Sequence, residues 1–134
     1  MAQSGIYEAS TNGVVVRVRP AFLPDQSNPP EVWVWAYAVE IENRSSRAVQ
    51  LVSRHWIITD ALGRVEEVAG PGVVGEQPVI RPGETHAYAS GCPLPTPSGS
   101  MHGSYRMLVE GGDAFDAAIP AFSLDLPDAR RTLN

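Results

Sequence analysis

The sequence predicts an all-β fold, a sandwich of two antiparallel sheets built from seven or eight strands. Three observations predict it. Apolar residues recur with period two, as in Val14, Val16 and Val18 with Arg17 and Arg19 between and after them, the mark of a half-buried strand rather than a helix. The 12 glycines and 12 prolines cluster between such runs, where turns are needed. The 134 residues suit one domain of about seven strands. The single cysteine, Cys92, excludes an intrachain disulfide. Among such sandwiches, immunoglobulin-like or fibronectin type III-like, this favours the fibronectin type III-like variant.

The elements follow in order. Val14–Arg19 is a strand that Pro20 is expected to end. Residues 25–31, with Pro29-Pro30, form a loop. Val32–Glu42 places Trp33, Trp35, Tyr37, Val39 and Ile41 on one face and Glu40 and Glu42 on the other, an aromatic and β-branched density that favours a strand. Asn43, Ser45 and Ser46 supply turn chemistry, so this strand and the next, Val49–Asp60, are expected to pair as a hairpin. A turn at residues 60–63 leads into a strand over 64–69. Residues 70–82 read as a loop with one short strand at Val79-Ile80, followed by a strand over 85–90. Residues 91–103 are turn-rich, and 104–110 form a strand. Gly111-Gly112-Asp113 closes a last hairpin. The final strand begins with Phe115, Ala117 and Ile119, and after Pro120 it resumes on a shifted face with Phe122 and Leu124. The chain reads as one domain over 1–134, loosely ordered at about residues 1–6 and 128–134.

Composition narrows the function classes. The apolar fraction of 43% and charged fraction of 19% are those of a globular protein. The net charge is −5 and all ten basic residues are arginine, which argues against a nucleic-acid partner. No apolar run approaches the roughly 20 residues of a membrane-spanning helix, and the opening MAQSGIYEAS lacks the features of a signal peptide. The expected location is therefore the cytoplasm, with no membrane partner. The sequon-like Asn43-Arg44-Ser45 is then a chance match.

No catalytic constellation emerges. Gly70-Pro71-Gly72-Val73-Val74-Gly75 satisfies the G-x-G-x-x-G spacing of dinucleotide sites. Those sites need a helix after the glycines, and Pro78 and the valines oppose one here. The structural reading is a bending loop whose glycines permit positive φ. The functional one is a backbone nest, Gly70, Gly72 and Gly75, that binds an anion such as pyrophosphate or a nucleotide. A Walker A site is excluded because the chain has no lysine to reach the phosphates. Thr96–Ser100 has the wrong spacing for a nucleophile elbow. His55, His86 and His102 stand at no metal-ligand spacing, so neither a metal nor a cofactor is expected. Within Arg54-His55-Trp56, Trp56 is expected to fill the core while Arg54 or His55 meets solvent or a carbonyl. Arg54, His55 and Arg64 are the candidate binding-surface residues. Cys92, with nothing cationic beside it in sequence, reads as a partly buried thiol in a loop.

Several segments resemble the ApaG family: Val49–Asp60, Gly70–Pro78, Thr96–Gly103, Ile119–Asp125 and the terminal Leu133-Asn134. The similarity runs in order along nearly the whole chain, and His86 stands where the family often has an apolar aromatic residue. The resemblance implies a fibronectin type III-like sandwich with no established enzymatic activity. It also implies a small cytoplasmic protein, a link to tolerance of magnesium and cobalt, and, from related domains in F-box and polymerase-interacting proteins, a protein-interaction module. Two readings stay open. One is a non-enzymatic protein-interaction domain with an unidentified protein partner, a homodimer through an open sheet edge or an aromatic patch included. The other is a small-anion binder acting through the glycine loop.

Overall fold

A computed structural model describes residues 5–127; of the segments expected to be loose, about 1–6 and 128–134, all but residues 5 and 6 lie outside the described residues. Nine strands form two antiparallel sheets: β1 (Tyr7–Thr11), β2 (Val14–Phe22), β3 (Trp33–Asn43), β4 (Val49–Asp60), β5 (Val65–Pro71), β6 (Val79–Ile80), β7 (Thr85–Leu94), β8 (Gly99–Val109) and β9 (Ala114–Leu124). The first sheet runs β1-β2-β3-β7, and the second runs β5-β4-β8-β9 with β6 also paired to β4. The fold class is the one the period-two pattern predicts.

The core lies between the inward faces. Val14, Val16 and Val18 of β2 and Trp35, Tyr37, Val39 and Ile41 of β3 are buried against Trp56, Met101, Tyr105, Met107, Phe122 and Leu124 of the second sheet. Trp56 sits at the centre, its ring 5.1 Å from Tyr37 across the sheets and 6.0 Å from Phe122 beside it, both edge to face, the arrangement that aromatic quadrupoles prefer. The face shift in β9 occurs as expected: Ala117 and Ile119 point inward, and after Pro120 so do Phe122 and Leu124. A register irregularity between Met101 and Gly103 in the β8–β9 pairing absorbs it.

Four expectations are corrected. The strand β1 was not foreseen; Asn12 (φ 50°) and Gly13 (φ 82°) form the turn that joins it to β2, and an Asn-Gly pair is the sequence signal for such a turn. Pro20 does not end β2, which continues to Phe22. β1 stops pairing at Val18, so Pro20 has no strand on that side to miss its N–H. The same reason admits Pro71, Pro93 and Pro120, all on strands at sheet edges. Residues 91–94 and 99–103, expected as turns, extend β7 and β8. Finally, β3 and β4 are not a hairpin, because β3 pairs with β2 and β7 while β4 pairs with β5, β6 and β8.

The chain therefore crosses between sheets at Asn43–Ala48, and Asn43 makes that crossing. It is fully buried. Its amide nitrogen donates to the carbonyls of Arg47 and Ile80, both at 2.8 Å. Its Oδ1 accepts from the backbone N–H and the hydroxyl of Ser45. Its backbone accepts from Gly83 and donates to Glu84. One side chain thus ties the end of β3 to the crossover and to β6. Removing it leaves the buried Ile80 carbonyl without this donor and the Arg47 carbonyl with only the Ser45 hydroxyl, the first costing roughly 1–3 kcal/mol. Asn43→Ala is expected to lower stability by about 2–4 kcal/mol, measured by urea unfolding, while Ser46→Ala, at an exposed position of the same segment, is expected to change it by less than about 0.5 kcal/mol.

Candidate functional site

The two sides of the sandwich differ. On one side the edges close on each other: Thr11 of β1 accepts the backbone N–H of Ala118 in β9, and the hydroxyls of Tyr7 and Ser123 pair. On the other side β5 and β7 are the free edges of their sheets. The inward residues there are Tyr88, Ser90 and Cys92 on β7, Glu66, Val68 and Gly70 on β5, and Arg54 on β4. Between them lie the buried Tyr37, Trp56 and Tyr105.

Arg54 and Glu66 are the charged groups on these inward faces. Arg54 pairs with Gly70 across the β4–β5 ladder, and its guanidinium lies over that glycine, where a Cβ would stand 3.2–3.3 Å from it. Nη1 donates to the carbonyls of Pro71 (2.9 Å) and Gly72 (3.0 Å). Burial pushes the hydroxyls of Tyr37, Tyr88 and Tyr105 upward, and for each of them the Arg54 charge pulls the other way. All three therefore stay protonated as hydrogen-bonding groups, and the hydroxyls of Tyr88 and Tyr105 bond to each other. Burial raises the Cys92 thiol to about 11, with Glu66 adding to the effect. This thiol, in β7 rather than a loop, is no nucleophile near neutral pH.

The glycine motif has three separate physical causes. Gly70 leaves room for Arg54. Gly72, at φ 61°, runs so close to the Glu76 carbonyl that a Cβ would stand 2.1 Å from it. Val74 (φ 48°) and Gly75 (φ 79°) form a two-residue turn closed by reciprocal Val73 and Glu76 backbone hydrogen bonds, the mirror-image hairpin turn that needs positive φ twice. No helix follows. Three of the five amides from Gly72 to Glu76 already donate to backbone, to Val52, Glu76 and Val73, which leaves those of Val74 and Gly75 for a ligand.

The remaining candidates are not in the cleft. His55 points to the outer face, where its Nε2 lies 2.8 Å from Glu67. Arg64 is at the β4–β5 turn, its Nε donating to Asp60 at 2.9 Å. Asp60 is nearly buried, which pushes its carboxyl up, but donation by the Arg64 and Leu62 backbone and the Arg64 side chain outweighs this and holds it below its ordinary value. Among the described residues no group of three His, Cys, Asp or Glu converges to hold a metal ion. Among the same residues no helix is long and apolar enough to cross a membrane. A shallow groove of about 330 Å³ on the outer face of the second sheet, beside Gln50, Val79 and Leu108, has Glu110 as its one titratable lining group. The inward-facing Arg54–tyrosine grouping between β5 and β7 is what sequence reasoning missed. The sequence left open whether Arg54 or His55 meets solvent, and β5 could not be seen to pass beneath Arg54.

Comparison with known proteins gives a consistent answer. The model of a family described as the ApaG domain matches residues 24–109. A Protein ApaG from Paramagnetospirillum magneticum is 59% identical over 130 residues, covering 96% of this chain and all of the relative. One from Caulobacter vibrioides is 52% identical over 134 residues, covering 99% of this chain and 96% of the relative. A crystal structure of an ApaA protein from Bordetella pertussis superposes with a TM-score of 0.83 at 50% identity, covering 85% of this chain and 94% of that one. None of these names states an enzymatic activity.

Two predictions follow from the local chemistry. Gly72→Ala is expected to destabilise by more than about 2 kcal/mol, because a backbone carbonyl must move, and Gly75→Ala by about 1–2 kcal/mol from its φ alone; thermal unfolding distinguishes them. Because Asp60 titrates below its unfolded value, it stabilises the fold above that value and the contribution is lost as pH falls through the folded one. Wild type is therefore expected to lose more stability than Asp60→Asn between about pH 5 and pH 2, and parallel urea unfolding curves check it.

Proposed function

The chain belongs to the ApaG domain family, and from that premise we propose that it is a protein-docking domain that accepts an extended segment of another protein along the β7 edge. The observation that carries the reading is the character of that edge. β7 spans ten residues, pairs in register with β3 on one side only, and contains no Asp, Glu, Lys or Arg. Exposed sheet edges are normally blunted by charges, prolines, bulges or a cover, since their free N–H and C=O groups template further pairing. The other edges show such devices: β5 carries Glu66, Glu67 and Pro71, and β1 and β9 are stitched together by Thr11 and Ala118. On β7 only Pro93, near the end, interrupts the row. Added strands gain affinity from main-chain bonds and specificity from alternate side chains, which here would enter the cleft. The link to magnesium and cobalt tolerance would then act through the bound protein.

A photo-cross-linking residue at Ala87 of β7 tests this against the same residue at Glu8 of β1. Discrete protein adducts from position 87, absent from position 8, are expected when the variants are irradiated in cells. Equal adducts from both edges, or none from β7, would remove the reading.

A further inference from the structure

Arg54 differs from the other arginines in one respect. Arg17, also half-buried, has Glu8, Glu40 and Glu42 around it, and the exposed Arg44, Arg64 and Arg106 each have a carboxylate. Arg19, Arg47 and Arg81 lie in solvent. Arg54 is half-buried and, among the described residues, has no carboxylate partner. A partly desolvated guanidinium without a counter-charge is costly, yet two features hold it in place. The carbonyls of Pro71 and Gly72 take both hydrogens of Nη1, and Gly70, which has no positive φ to explain it, leaves the space the guanidinium fills.

A guanidinium has five N–H donors in a fixed plane. With Nη1 occupied, the edge formed by Nε and Nη2 has no hydrogen bond to any described residue. That edge has the two parallel donors that grip a carboxylate in bidentate fashion. The guanidinium has reached outward from β4 to lie over β5, on the side of the sandwich where a strand added to β7 would project its inward side chains.

We infer that Arg54 is the specificity contact of the cleft, where the extended segment pairing with β7 presents one Asp or Glu side chain to the Nε–Nη2 edge. This inference rests on the docking reading above and adds to it the chemistry of the partner. The inward side chains flanking the acid meet Val68 and Tyr88, so apolar residues two positions away complete the pattern.

The test is selection from a random decapeptide library displayed on phage against the full chain, with amide hydrogen exchange on 85–92 to show which selected peptides pair with β7. The expected result is one fixed Asp or Glu position among the β7-pairing peptides, with at least a tenfold weaker Kd by calorimetry when that acid is replaced by its amide. Arg54→Lys, which keeps the charge without the planar edge, and Gly70→Ala, whose Cβ would press on the guanidinium from 3.2–3.3 Å, are both expected to reduce the difference at least threefold. β7-pairing peptides with no fixed acid, or an acid preference intact in both variants, would overturn the inference while leaving the docking reading standing. Recovery of no β7-pairing peptide would overturn both. Should either variant unfold, the acid-against-amide ratio on wild type decides alone.

Discussion

The structure depends on one buried side chain at the place where the chain changes sheets. Two consecutive long strands separated by five residues would ordinarily pair, and pairing β3 with β4 would destroy the sandwich. The carboxamide of Asn43 makes the alternative affordable by supplying four hydrogen bonds inside the crossover. A buried amide has two donors and two acceptor sites, and here each is used, so the residue costs nothing in unsatisfied polarity. Because one of those bonds reaches Ile80, the crossover also positions β6 and the turn that leads into β7. The edge strand on which the proposed function rests is placed from that point.

The asymmetry of the two sides follows. With β3 and β4 in different sheets, β2 and β9 come to face each other on one side and close it, through contacts that extend to β1. The other side is bounded by β5 and β7, which the crossover leaves as terminal strands. Among the described residues no side-chain hydrogen bond bridges them as Thr11 bridges β1 to β9. The sandwich therefore has one sealed flank and one that exposes both a free main-chain row and polar groups from the interior.

The glycine-rich segment takes a different meaning in this setting. Its spacing matches a phosphate-binding motif, but each glycine answers a local steric demand: a guanidinium above Gly70, a carbonyl against Gly72, and a mirror-image turn at Gly75. The segment works as a bracket. It presents two carbonyls to Arg54 and so orients the one half-buried cation that has no carboxylate among the described residues. Phosphate chemistry would need the amides of this loop, and three of the five from Gly72 to Glu76 already donate to backbone carbonyls.

The sequence by itself determined the all-β class, most strand positions and the inward faces of β2, β3 and β9, because period-two alternation is a local property and a one-residue slip would expose the whole apolar set. It also placed Trp56 within the core, while leaving open whether Arg54 or His55 meets solvent. The Asn12-Gly13 turn was equally legible, and would have disclosed β1. Pairing was not legible. Whether Asn43 turned a hairpin or carried a crossover depended on Ile80, 37 residues away, and on burial that no local pattern records. Pro20 looked like a strand break because only the sheet order shows that its missing N–H faces no neighbour. Arg54 could be placed on a strand, yet its role required knowing that Gly70 lies beneath it and that no carboxylate among the described residues pairs with it. Local alternation decides which face a side chain takes; which residues share that face across the sheet is decided only when distant strands meet.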